Sequence, residues 1–405
     1  MGVPHLPPLP APTSWFPGHM MKFTRQLPAL LKRTNVVLEI RDARLPLTSI
    51  NRTLEGALKK WRLERGWDPN NPARRFFAVE ACEHIVVLNK RDLVPEWGLE
   101  PFRKAMEKKF PYQRLHFASA QKQKDIRTLS DMLVKLAKDY PHAMELNVLV
   151  LGMPNVGKST LLNALRNMGI KGRTPKAFQT SANPGMTQTL STRLKLSLDP
   201  LVYAYDSPGI MLPFLGRGEE GAERGVKLAL IAGIKEGLYD MRALAGYLLY
   251  RLNILNPTAP AYLALLPPGS APTHDLDEFL ALLAQRMAMV KRGGEVDVAR
   301  AEVYFVRWWR GEVGSLATDH ALPAAPGTQA WGFDFQWEAP APAPGAERNF
   351  ALEVQARMEE GIERYVAETD REEADENNVS ETQIKKRAVK EEKEKRRLKN
   401  MSKRQ

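Results

Sequence analysis

Six short apolar runs punctuate the first half of the chain, at residues 36–40, 85–88, 115–117, 148–151, 194–198 and 202–205. Runs of this length suit strands buried on both faces. Between several of them, as at 100–110, 126–138 and 159–167, apolar positions recur every three or four residues, which predicts helices. The alternation predicts an α/β domain, a parallel sheet covered by helices on both sides. Beyond residue 216 the helical period takes over. Residues 226–253 read as one long amphipathic stretch, followed by 276–291 and 296–309, so an all-α C-terminal domain is expected. Residues 321–346 are rich in Pro, Ala and Gly and read as a linker, and 351–368 is helical again. The charged segment 59–83, with Trp61 and Trp67, reads as an insertion between two strands. The expected organisation is an N-terminal arm (1–33), the α/β domain (34–215), the helical domain (216–313), a linker (314–346) and a helical extension with an acidic patch and a basic tail (347–405).

Composition adds constraints. The 405 residues leave room for two or three domains, and no apolar run reaches the roughly 18 residues that cross a bilayer. Of the formal charge of +12, a local +8 sits in residues 384–405, which hold eleven Lys or Arg against three Glu. Such an excess favours polyanions, meaning RNA, DNA or an anionic membrane, although a solvated tail accounts for it as well. Cys82 is the only cysteine, which excludes an internal disulfide and a Cys–His metal cluster. The first acidic residue is Glu39, with Lys22, Arg25, Lys32 and Arg33 ahead of it. A basic, acid-poor start suits organelle import, but residues 1–14 contain no Arg and are Pro-rich.

The chemistry is concentrated at strand ends. Residues 152–159, GMPNVGKS, follow a strand and open a helix, which is the context of a phosphate-binding P-loop. Gly152 and Gly157 permit turns that aim backbone N–H groups inward, and the helix N-terminus adds its dipole. Asn155, Val156 and Thr160 complete the loop, Lys158 would reach the β- and γ-phosphates, and Ser159 would bind Mg²⁺. Downstream, D-S-P-G at 206–209 can hold Mg²⁺ through Asp206 and sense the γ-phosphate through the Gly209 N–H. Between them Thr187 is positioned to give its hydroxyl to Mg²⁺ and its N–H to phosphate. Upstream, Asn89, Lys90, Arg91 and Asp92 form N-K-x-D, in which a carboxylate can accept the N1 and N2 hydrogens of guanine. Ser119 and Ala120 follow the next strand, where a backbone N–H can meet guanine O6.

Together these resemble the five motifs of Ras-like GTPases, except that N-K-x-D and S-A precede the P-loop. The order is therefore that of a circularly permuted GTPase, a rearrangement the fold tolerates when the old termini lie close together. Three further stretches, W-F-P-G-H-M at 15–20, D-A-R-L-P at 42–46 and G-V-K-L-A-L at 225–230, resemble the YlqF/RbgA-type GTPases, whose mitochondrial members are called mitochondrial GTPase 1. The resemblance spans about residues 14–313. It implies GTP hydrolysis with Mg²⁺ in assembly of the large ribosomal subunit, in contact with rRNA and ribosomal proteins. It also implies a mitochondrial location, in the matrix or peripheral on the inner membrane, and a monomer.

Ras-like enzymes orient the attacking water with a Gln directly after D-x-x-G. Ile210 stands there, so another group must act. The resemblance points to His19 as that catalyst and to Asn155 as a K⁺ ligand, while the residues alone allow His19 simply to pack or to touch RNA. Asp42 can be a turn cap or part of a functional surface. Trp61–Arg62, Arg74–Arg75–Phe76 and Trp308–Trp309–Arg310 combine aromatic and basic groups that suit unpaired RNA bases, with at least one of Trp308 and Trp309 expected in the core. A GTP-regulated RNA-binding or membrane-docked scaffold with negligible turnover is the rival of another class. A cytosolic or nucleolar assembly GTPase is the rival of the same class.

Overall fold

The computed structural model describes residues 5–13, 15–68, 81–111, 113–170, 190–191, 193–313, 330–337 and 349–374, with 389, 392 and 393. All six expected strands are present: β1 (Val36–Asp42), β2 (Glu83–Asn89), β3 (Arg114–Phe117), β4 (Leu146–Gly152), β5 (Leu194–Leu198) and β6 (Leu201–Asp206). They form one sheet in the order β3-β2-β1-β4-β6-β5. The sheet is parallel except at its edge, where β5 pairs antiparallel with β6. Only a two-residue turn joins that pair, too short for the crossover a parallel partner requires.

Every residue of β1 is buried because the sheet is covered on both sides. Val36, Leu38 and Ile40 face a core shared with α4 (Gln123–Asp139) and α5 (Lys158–Gly169). Val37 faces the opposite way, toward α1 (Gly18–Leu31) and α2 (Arg52–Glu64). In α1, Met20, Phe23, Leu27 and Leu31 are buried at helical spacing. The N-terminal segment is thus a packed helix over its second half. Residues 59–64 are likewise the end of α2, with Trp61 in the core, so this part of the expected insertion is regular structure.

The stretch read as one helix over 226–253 is two: α6 (Gly218–Leu230) and α7 (Met241–Leu255). Ala232 is left-handed, and the Gly233 N–H closes on the Leu228 carbonyl at 2.9 Å, which ends α6. Then come α8 (Leu276–Arg286) and α9 (Val298–Arg310), each with an aspartate side chain capping its first turn. Within the stretch expected to be a linker, β7 (Ala330–Trp331) and β8 (Phe335–Gln336) form a hairpin whose aromatic side chains are buried. This hairpin and α10 (Phe350–Ala374) pack with α3 (Leu99–Lys109) into a separate core around Phe102, Trp331, Phe335 and Met358. Composition concealed it, because the hairpin is anchored by only three buried aromatic residues, Trp331, Phe333 and Phe335.

Candidate nucleotide site

Parallel register places the C-terminal ends of four strands together. Asp42 is opposite Asn89, Ile40 opposite Gly152, and Val150 opposite Asp206. Open α/β sheets bind ligands at this edge. Motifs that lie far apart in the chain therefore converge on the loop between β4 and α5.

That loop is held in a conformation few side chains permit. Gly152 has φ +145°, and a Cβ there would lie 2.2 Å from the Ile40 carbonyl oxygen. Gly157 has φ +92°, with Asn89 Nδ2 2.4 Å from where a Cβ would be. Asn89 donates to the Val156 carbonyl at 2.8 Å and Lys90 Nζ to the Asn155 carbonyl at 2.9 Å. Two residues of the early N-K-x-D loop thus brace the later P-loop. Lys158 is buried and donates to the Gly152 and Met153 carbonyls at 3.2 and 2.8 Å. Burial lowers its pKa to about 8, with Asp206 offsetting only part of the effect. A buried ammonium at a helix N-terminus, bonded among the described residues to neutral carbonyls, suits an anion arriving from solvent.

Ser159 Oγ donates to Asp206 Oδ2 at 2.5 Å, and Asp206 Oδ1 is buried with no hydrogen-bond partner among the described residues. Burial raises the Asp206 pKa against the opposing influence of Lys158 and Ser159. A divalent cation fits here, since hard oxygen donors sit side by side and one carboxylate oxygen is unsatisfied. Gly209 packs on the P-loop so closely that a Cβ would come 2.7 Å from the Pro154 Cα. The Ile210 N–H donates to the Gly152 carbonyl at 3.1 Å, and its own carbonyl accepts from Asn51 at 2.8 Å. The Ile210 side chain is buried among Phe23, Leu27 and Leu58, directed into the core.

In the 89–92 loop, Arg91 makes a two-pronged ion pair with Asp125, at 2.6 and 2.8 Å. The same carboxylate accepts the Ser119 N–H at 2.9 Å, so it ties the two loops together. Asp92 and Ala120 are half-buried and Thr160 is exposed. Thr187 lies outside the described residues, as do Arg74, Arg75 and Phe76. Asn155 is left-handed, and its side-chain amide donates to the Ala232 carbonyl at 2.8 Å, toward the helical domain. His19 lies in the first turn of α1, and its Nε2 is buried without a hydrogen-bond partner among the described residues. The next residue, Met20, accepts the Met211 N–H on its sulfur at 3.4 Å, which sets the start of α1 beside the segment that follows D-x-x-G. Trp308 and Trp309 are both buried, as is Trp61, so none of these three offers a ring to an RNA base. Sequence reasoning missed Asn51, Asp125 and Ser191, whose Oγ accepts the Asp206 N–H at 2.8 Å. No spacing rule marks these residues.

Residues 147–243 match the family described as 50S ribosome-binding GTPase. Mitochondrial GTPase 1 of Schizosaccharomyces pombe is similar at 31% identity over 315 residues, 76% of this chain and 90% of that protein. Mitochondrial ribosome-associated GTPase 1 of Xenopus tropicalis is 32% identical over 244 residues, 59% of this chain and 70% of that protein. Among solved structures, GNP-bound YlqF from T. maritima covers 72% of this chain and 95% of that one at 23% identity, with a TM-score of 0.42.

Proposed function

The chain belongs to the mitochondrial GTPase 1 family, and from that premise we propose a Mg²⁺-dependent GTP switch in assembly of the large mitochondrial ribosomal subunit. The observation that carries this reading is the bracing of the P-loop by Asn89 and Lys90, at 2.8 and 2.9 Å. In the permuted order those residues come first, yet they reach the same loop, which supports a complete nucleotide site. In it Asp92, with the Ser119 and Ala120 backbone, reads guanine. Gly152, Asn155, Val156, Gly157, Lys158 and Thr160 cradle the phosphates. Ser159 and Asp206 would hold Mg²⁺ together with Thr187, and the metal would offset charge on the phosphates. Gly209 senses the γ-phosphate.

With Ile210 in the core, catalysis draws on another group. His19 is the proposed one, because its neighbour Met20 touches the Met211 backbone, which supports an approach of His19 to the phosphates once a ribosomal partner engages. Asn155 is the proposed K⁺ contact. The exposed face of α1 carries Lys22 and Arg25 and the helix has no acidic residue, which supports a polyanion such as rRNA as partner. The same charge supports a peripheral site on the anionic matrix face of the inner membrane, with the protein acting as a monomer.

GTP hydrolysis measured with and without large subunits, in K⁺ and in Na⁺, tests this. Stimulation by subunits in K⁺, lost in His19→Ala with GTP affinity intact, is the expected result. No phosphate release even with subunits and K⁺ would leave a GTP-regulated scaffold instead.

A further inference from the structure

The D-A-R-L-P stretch has no part in the nucleotide site as described so far, yet its first residue lies at the centre of it. Asp42 ends β1 and is completely buried. Its carboxylate accepts the Arg44 backbone N–H at 3.0 Å, Arg44 Nε at 2.9 Å and Arg44 Nη2 at 2.8 Å. It also faces Lys90 Nζ at 3.0 Å, the same ammonium that donates to the Asn155 carbonyl of the P-loop. Burial works to raise the Asp42 pKa, but Arg44 and Lys90 outweigh it and hold the carboxyl well below the ordinary range. The backbone contact alone is a local turn that any Asp makes after a strand. The remaining contacts exceed what a turn needs.

Arg44 carries the connection onward. Its Nη1 donates to the Trp309 carbonyl at 3.3 Å, and the guanidinium stacks 4.2 Å over the Trp309 ring. Trp309 belongs to α9 of the helical domain and packs against Phe333, whose N–H donates to the Arg44 carbonyl at 2.8 Å. A planar guanidinium can bind a carboxylate with two parallel bonds and stack on an indole at once; an ammonium can do neither. Lys90 has φ +61°, so its backbone is constrained too. With its ammonium held between a buried carboxylate and a P-loop carbonyl, the Lys90 side chain is fixed at its tip as well as at its backbone.

We infer that Asp42 and Arg44 are positioning residues that fix Lys90 for guanine nucleotide and join its placement to the helical domain through Trp309. The inference rests on the assignment of the 89–92 loop to guanine made above. Packed, charge-paired contacts of this kind couple energetically, whereas independent sites add. A double-substitution cycle on the affinity of the full chain for a fluorescent GDP analogue tests it. Trp309→Leu and Arg44→Lys are each expected to weaken binding about three- to tenfold in the native background. In a Lys90→Met background the same changes are expected to cost less than about twofold, because the link they act through is already gone. Two variants are used so that a folding failure in one leaves the other to decide. Equal losses in both backgrounds, or no loss in the native one, overturn the inference while sparing the guanine assignment. Unchanged affinity in Lys90→Met alone overturns the assignment as well, and that result needs no second substitution to be recognised.

Discussion

Lys158 is the residue whose physical state the fold alters most usefully. Burial brings its pKa from 10.5 down to about 8, so between those values the folded, nucleotide-free protein carries fewer protons than the unfolded chain. Stability of that form therefore rises with pH through this window, and a bound phosphate reverses the effect by restoring the proton. Nucleotide binding at pH 9 is expected to take up a proton, and affinity to fall by up to about tenfold per pH unit above pH 8. Calorimetry of GDP binding in two buffers of different ionisation enthalpy checks it; identical heats would refute it. Lys158→Ala should abolish tight binding, and Asp92→Asn should shift preference from GTP toward XTP, both read by competition. Ile210 makes the opposite point. Its side chain fills the core, so Ile210→Gln is expected to cost about 2–4 kcal/mol in urea denaturation and to leave unstimulated turnover unchanged. The proposed roles of Lys158 and Asp92 come from motif chemistry. The burial of Ile210 could not be read that way, because it depends on α1 and α2 arriving from elsewhere in the chain. The bond from Asn155 to Ala232 was hidden for the same reason.

At the scale of elements, strands were easier to foresee than breaks between helices. Runs such as 148–151 have one physical solution in an alternating α/β sequence, and all six appeared. The junction between α6 and α7 was missed because Ile231, Ile234 and Leu238 keep up an apolar rhythm across it, while Gly233 and Gly237 permit the chain to turn. The hairpin β7–β8 was missed because its strands are two residues each and the core they pack against comes from elsewhere in the chain. Yet it anchors that region: Trp331 Nε1 donates to the Pro95 carbonyl at 3.0 Å, its ring stacks on Phe102, and Asp334 accepts from both the Leu47 and Thr48 N–H groups at 2.8 Å. Trp331→Ala should cost about 3–5 kcal/mol, measured by denaturant titration. Gly98→Ala should also destabilise, since its Cβ would lie 2.2 Å from the Trp331 indole nitrogen. A loss near zero for Gly98→Ala would show that the hairpin can withdraw freely.

Across the whole molecule, the permuted order makes the D-x-x-G segment the direct entrance to the helices that follow it. Asp206–Gly209 leads through Met211 to α6, and α6 is in turn bound to α10 by the Arg224–Glu372 ion pair at 3.0 Å. α10 also reaches the start of α2 through Arg52, which donates to the Thr369 carbonyl at 3.1 Å. α10 thus touches both halves of the chain. Deleting residues 330–405 is expected to expose the core around Phe102 and drive self-association, read by light scattering; a soluble, monomeric product would contradict this. That same core has a consequence in time. Its first wall, α3 with Ala43 and Leu88, is made early in translation, but Trp331, Phe335 and Met358 are made hundreds of residues after Ala43. During synthesis the α/β domain therefore emerges with one apolar side still open, and only residues 330–374, made much later, close it. A transcript cut short would yield a protein with its motifs intact and that side bare, a natural target for chaperones and proteases.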